Sequence, residues 1–372
     1  MPALRVLMTT PLYLPHMGGV ERYVDVLGRR LVERGLAVTL LTTDPTGTLP
    51  ARDERDGLQI LRVPAWPRGR DYYFAPEIYP TVVRNGWDVV HVQSYHTLVA
   101  PLSMLAARRA RIPYVVTFHG GGHSSAARRA LRRPQWAALR PLLTRADRLV
   151  ALARFEIDLY GGVLRLPRER FELIPIGSDL NLEPAQAQPA TDGGPLIASV
   201  GRLERYKGHH RLIEALPAIL RTHPDARAWI AGSGPYEAEL RRLAVSHGVA
   251  DRVEIRAVPA DRPDEMAAEL RKTALVVLLS DHETQPVAVL EALALRRPVL
   301  VTHTTGLAEL ADRGLVRSIP HESSPAAVAA AVVQQLESPH VPERLDLPTW
   351  DECADRHEHL YHSLAGQRAW HG

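Results

Sequence analysis

Residues 274–300 read ALVVLLSDHETQPVAVLEALALRRPVL, and the fold is decided by how this stretch is read. Ala274 to Leu279 is a short β-branched and leucine-rich run, the composition of a strand buried on both faces, and Ser280 to Gln285 is a polar break. A helix is expected next. Pro286 suits its first turn, where a missing N–H costs nothing, and Val287 to Leu295 is apolar on every side except at Glu291. A carboxylate on such a helix must find a partner or carry a desolvation cost of roughly several kcal/mol. Glu283 stands in the loop at the mouth of the same helix. At a rise of about 1.5 Å per residue the two carboxylates come roughly 10 Å apart, with the helix N-terminus between them. That N-terminus offers N–H groups and partial positive charge to an anion such as a diphosphate. A nucleotide-sugar presents a polyol, a diphosphate and a ribose diol in that order. The same residues also allow a solvated Glu283 and a structural ion pair between Glu291 and a nearby arginine.

Outward from this stretch, the 372 residues suffice for two domains, each with its own core. The net charge of +3 is small for that length and calls for no nucleic-acid partner. All but two of the 45 basic residues are arginine, a coding bias more than a functional signal. The one cysteine, Cys353, makes no internal disulfide, which fits a reducing, cytoplasmic setting. No run approaches the roughly 20 apolar residues of a membrane span.

Strands are expected at 4–9, 37–43, 58–63, 88–93, 114–118, 148–152 and 172–176, then at 195–200, 227–231, 252–258, 274–279, 298–302 and 315–319. Helical or loop stretches separate most of them, which implies mainly parallel sheets with helices on both faces and ligands at the C-terminal strand ends. Gly18 and Gly19 follow the first strand and permit positive φ and close approach of a ligand, or simply make a turn. Thr117-Phe118-His119-Gly120 stands at a strand end, and Gly121 and Gly122 extend a mobile loop after it. His119 is either a site residue or an ordinary satisfied histidine. Gly201 to Gly208 (GRLERYKG) follows the first strand of the second sheet; Arg202 offers a fork of donors and Lys207 a point charge, enough to neutralise a diphosphate. Residues 127–148 interleave seven arginines with Leu and Trp. Such a segment can lie weakly on an anionic membrane surface, as a peripheral contact on the inner face. An ordinary surface helix is the alternative, favoured by Pro134 and Pro141, which are read as interrupting the helix.

Five of these motifs, in order along nearly the whole chain, resemble the family 4 retaining glycosyltransferases of the GT-B fold. They are Gly18-Gly19-Val20-Glu21-Arg22, Thr117-Phe118-His119-Gly120, Ile174 to Asp179, Gly201 to Gly208, and Glu283-x7-Glu291 with Thr305 to Glu309. Where the family writes Glu-Gly-Phe-Gly-x-Pro, this chain has Glu283-Thr284-Gln285-Pro286. The resemblance implies two Rossmann-like parallel-sheet domains facing across a cleft. These are an acceptor-side domain over 1–180, a linker over 181–194, a donor domain over 195–349 and a last helix over 350–372 that crosses back to the first domain. It implies that His119 contacts the transferred sugar, Glu283 the sugar hydroxyls and Glu291 the ribose, with Arg202 and Lys207 on the diphosphate. Gly18, Gly19, Gly120, Gly201, Val258 and the backbone at Gln285, Pro286 and Val287 would complete the donor site. The implied reaction moves a sugar, with retention, from a UDP- or GDP-sugar to a hydroxyl of a glycan, lipid or small-molecule acceptor. No Asp-x-Asp occurs, so no metal and no cofactor are expected. A related epimerase or phosphorylase and a non-catalytic nucleotide-sugar-binding protein are the alternatives.

Overall fold

The computed structural model describes residues 2–16, 18–68, 73–84, 86–120, 126–178, 193–259 and 262–371, with the backbone alone at 126–133 and 367–371. Gly121 and Gly122, most of the 181–194 linker and the side chains of Arg128, Arg129, Arg132 and Arg133 lie outside the described residues.

The described chain forms two compact units. The first contains β1 (Arg5–Thr9), β2 (Ala37–Asp44), β3 (Arg52–Arg55), β4 (Leu58–Pro64), β5 (Val89–Gln93), β6 (Tyr114–Thr117), β7 (Arg148–Ala151) and β8 (Phe171–Leu173). They lie in the order β3-β4-β2-β1-β5-β6-β7-β8, parallel except for the β3/β4 hairpin. Alternation along the inner strands sends Val90, Val92, Tyr114 and Val116 to one apolar layer and Val6, Met8, Val89 and Val115 to the other. The second layer is closed by the helix Gly19–Glu33, which buries Tyr23, Val24, Leu27 and Leu31, and by the helix Trp350–His371. At the start of that last helix the chain runs so close that a Cβ on Gly177 would strike the backbone of Trp350, while Ser178 N donates to Pro348 O at 2.9 Å.

The second unit contains β9 (Leu196–Val200), β10 (Arg227–Ala231), β11 (Val253–Ile255), β12 (Leu275–Leu278), β13 (Val299–Thr302) and β14 (Arg317–Ile319), all parallel, in the order β11-β10-β9-β12-β13-β14. The central β12 is fully buried along its length, as its β-branched and leucine-rich composition predicts.

One strand was not anticipated and two local expectations are corrected. The strand β3 (RDER) has no apolar alternation. It pairs with β4 through Asp56-Gly57, whose φ values of 48° and 79° make the turn that matches strand twist. The helix Ala126–Leu143 runs through Pro134 and Pro141 without a break. Leu139, Leu142 and Leu143 pack into the core behind β6, and that burial outweighs the lost hydrogen bonds. Finally, β11 ends at Ile255, so Val258 lies beyond the strand, half-buried against the second unit's core.

Candidate active site

In the second unit the order of connection reverses between β9 and β12, which are neighbours although β10 and β11 intervene in sequence. Loops leaving the C-terminal ends of such a pair diverge and leave a crevice. The loop after β9 carries Gly201 to Gly208, and the loop after β12 carries Ser280 to Pro286. They are stitched together. Lys207 Nζ lies 2.6 Å from Glu283 Oε1, and Ser280 Oγ donates to the same oxygen at 2.8 Å. Asp281 N donates to Tyr206 O at 2.7 Å. Gly208, at φ 73°, passes so near Leu279 O that any side chain would collide with it. From the next loop, Thr305 Oγ1 accepts from Glu283 N at 2.9 Å and donates to Glu283 O at 2.8 Å, while Gly306 N donates to that carbonyl at 2.9 Å. The carboxylate of Glu283 is therefore held at both its backbone and its side chain.

Arg202 is exposed. Its guanidinium stands 3.1 Å from Glu204 Oε1 and donates to Tyr206 Oη at 3.1 Å. Beneath it lies His209, fully buried, with Nε2 at 3.2 Å from Arg202 O and Nδ1 at 2.8 Å from Ser199 Oγ. A carbonyl only accepts, so the proton is on Nε2 and Nδ1 accepts from the serine. Burial pushes this imidazole down to about 4, and the Lys207 charge adds to the effect.

In the first unit the reversal falls between β1 and β5, and His119 follows β6, the next strand. His91, Gln93 and Thr117 project to the face covered by the helices Gly19–Glu33 and Trp350–His371, where they form a buried polar network. His91 Nδ1 is 2.6 Å from Tyr361 Oη and its Nε2 is 2.7 Å from Thr117 Oγ1. Tyr23 Oη is 3.2 Å from His357 Nε2, and His357 Nδ1 donates to Cys353 O at 2.8 Å. The Cys353 carbonyl only accepts, so His357 carries its proton on Nδ1 and its Nε2 accepts from Tyr23. Burial holds His91 well below its usual value and His357 down to about 4, so both are neutral links.

His119, at φ 48°, sits over this network. Its Nε2 is 2.7 Å from Gln93 Oε1, and its ring meets the edge of Tyr23 at 4.8 Å between centroids. Burial, with His96 and His357 adding, pushes it down to about 3. On the opposite face Phe118 stacks on Tyr160 at 3.9 Å beside Trp136 and Tyr95. Gly120 N donates to the buried carboxylate of Glu156 at 3.2 Å.

The structure thus unites Gly201, Lys207 and Glu283 in one loop cluster and places Arg202 beside it. Lys207, expected on the diphosphate, and Glu283, expected on the adjoining sugar, are in direct contact. Glu291 is half-buried and Val287 37% exposed, so this short helix is less enclosed than its composition implies. Pro286, buried, caps that helix at ψ 90° without entering its first turn, and Gln285 beside it is half-buried. Neither Gly18 nor Gly19 has positive φ. Gly18 caps the helix Gly19–Glu33 in an extended conformation, and only the open space above Gly19 leaves room for close approach. Among the described residues no group of three His, Cys, Asp or Glu could hold a metal ion, and no helix is long and apolar enough to cross a membrane.

Comparison with known proteins is decisive for the family. Residues 17–182 match the model of Glycosyltransferase Family 4, and residues 183–347 match that of Glycosyl transferases group 1. The chain is a family 4 glycosyltransferase. It is 28% identical to the glycogen synthase of Mycobacterium tuberculosis, over 92% of this chain and 88% of that protein. It is also 28% identical to the D-inositol 3-phosphate glycosyltransferase of Nocardiopsis dassonvillei, over 98% and 94%. The structure of Anabaena HepE in complex with UDP superimposes with a TM-score of 0.71 over 98% of both chains, at 18% identity, which places this glycosyltransferase in the same GT-B fold. No motif pointed to five of the residues that hold its candidate site: Gln93, Tyr23, Glu156, Ser280 and His209. Each reads in sequence as an ordinary strand, helix or loop position. Thr117, Glu204, Tyr206 and Thr305 lay inside quoted motifs without being singled out, and Ser280 lay inside the opening stretch as part of its polar break.

Proposed function

We propose that this glycosyltransferase moves a sugar from a nucleotide diphosphate sugar to an acceptor hydroxyl with retention, without a metal ion. The observation that carries the reading is the Lys207–Glu283 pair at the reversal point of the second sheet, with Arg202 beside it. An ammonium group has three donors, so Lys207 can keep its bond to Glu283 and still meet a diphosphate oxygen. Arg202, exposed, supplies a second positive charge, and preorganised charge of this kind stabilises a departing diphosphate as a cation would. Glu283 then faces sugar hydroxyls and Glu291 the ribose. The acceptor oxygen bonds to the anomeric carbon as the bond from that carbon to the diphosphate oxygen breaks. On the same face, the departing oxygen takes the acceptor proton. The UDP bound by HepE supports a nucleotide-sugar donor. The names of the relatives span a polysaccharide and an inositol phosphate, so the acceptor is left as a glycan, lipid or small-molecule hydroxyl.

Transfer from candidate UDP- and GDP-sugars, followed by mass spectrometry of the product, tests the reading. Activity is expected to survive EDTA. Loss on chelation with recovery on adding Mg²⁺ or Mn²⁺ would show that the charge on the diphosphate is met by a cation. Glu291→Ala is expected to weaken nucleoside diphosphate binding by about 1–3 kcal/mol, the cost of removing a charged hydrogen-bond partner. Calorimetry giving the parental affinity would sink the ribose assignment.

A further inference from the structure

We propose that Gln93 is a positioning residue that keeps the proton of His119 on Nε2, so that Nδ1 accepts a hydrogen bond from a substrate hydroxyl. The identity of that hydroxyl rests on the glycosyl-transfer reading; the tautomer does not.

Gln93 is the last residue of β5, a strand paired on both sides, and is 1% exposed, so its amide is placed by the sheet. Its Oε1 is the acceptor 2.7 Å from His119 Nε2, which must then carry the hydrogen. The edge of Tyr23 limits rotation of the ring, and Tyr23 is itself held by its bond to His357 and its burial against Trp350. The other ring nitrogen, Nδ1, has no hydrogen-bond partner among the described residues. Carrying a lone pair, it can engage only a donor. A diphosphate oxygen is an acceptor and would be refused, whereas a sugar or acceptor hydroxyl would be taken. The ring therefore discriminates between a hydroxyl and the diphosphate of a nucleotide-sugar by the placement of one proton. His119 is already neutral, so no charge overrides this preference.

A competing arrangement exists. Gln93 Nε2 is buried without a partner, and turning the amide over would put a donor against His119 Nε2 and leave the proton on Nδ1. That would reverse the discrimination, making the ring a donor suited to an anionic oxygen. The intrinsic preference of a neutral imidazole side chain for the Nε2–H form favours the first arrangement.

Long-range ¹H–¹⁵N spectra of protein labelled at histidine nitrogen decide between them, with the His119 signals assigned by their absence in His119→Gln. The expected pattern is a protonated Nε2 and a lone-pair Nδ1. Gln93→Leu is expected to mix the two tautomers and to lower kcat/KM about tenfold, the effect of one lost hydrogen bond. Gln93→Glu, which when ionised can only accept, should restore the Nε2–H pattern, recover most of that loss and move the titration of His119 to higher pH. A protonated Nδ1 in the parent protein, an unchanged pattern in Gln93→Leu, or no difference between Gln93→Glu and Gln93→Leu would each overturn the proposal. The spectra need no donor, so a failure to detect glycosyl transfer would leave the tautomer result standing.

Discussion

Lys207→Ala is expected to lower turnover by roughly a hundredfold to a thousandfold, the loss seen when one preorganised group that stabilises developing charge is removed. It is also expected to destabilise the protein, because Glu283 is 7% exposed and would keep only the Ser280 hydroxyl as a side-chain partner. Breaking a buried ion pair from one side costs about 3–5 kcal/mol, while removing both partners costs far less. The double variant Lys207→Ala/Glu283→Ala should therefore regain much of the lost stability while staying inactive. Thermal midpoints and transfer rates of the parent, the two single variants and the double variant make the test. If the destabilisations simply add, the 2.6 Å pair does not couple the two loops. If Lys207→Ala keeps near-parental turnover, the lysine does not serve the diphosphate.

The second large effect is acid lability. His91, His209 and His357 are fully buried, and burial is the main reason each is held below the ordinary histidine value of 6.5. The unfolded chain takes up these protons as pH falls through about 6.5, and the folded chain does not. Stability is thus intact above that pH and declines below it, continuing down to the folded values, about 4 for His209 and His357. By pH 4.5 His209 and His357 together forfeit on the order of 5 kcal/mol, a large share of the stability of an ordinary domain, and His91 adds to the loss. Circular dichroism melts between pH 7.5 and 4.5 should show the midpoint falling steeply below about pH 6. His357→Gln or His91→Gln, which removes one titrating link, should flatten that fall even if it lowers the midpoint at neutral pH. A midpoint constant down to pH 4.5 would mean that these imidazoles charge in place.

Both effects depend on contacts that a linear reading reaches unequally. The strands were legible because runs such as Leu275–Leu278 and Val89–Gln93 carry their burial in their composition. The reversal of strand order was not, since it depends on which strands become neighbours. Lys207 and Glu283 were each singled out, yet 76 residues separate them, and nothing in either motif says that they touch. Gln93 and Tyr23 were invisible for the opposite reason: each occupies a core position in a regular element, and only the sheet's alternation aims them at His119. The hairpin strand β3 did carry a signal in Asp56-Gly57, overlooked because its four residues are all charged. Pro134 and Pro141 misled because local propensity was weighed without the leucines that anchor the same helix.

The close pass of Gly177 against Trp350 bears on the order of assembly during synthesis. The first unit takes its opening residues from the start of the chain and its closing helix from Pro348 onward, so the second unit is in effect an insertion between two points that lie side by side. On a ribosome the earlier unit must wait, its His91 and Tyr23 still lacking partners from the closing helix, until the later one has emerged. The inserted unit, whose strands follow one another from Leu196 to Ile319, can complete its own sheet before that helix arrives. The half of the enzyme that is made first is then the half that is finished last, and a stalled or truncated chain would expose the buried histidine face rather than the Lys207 loops.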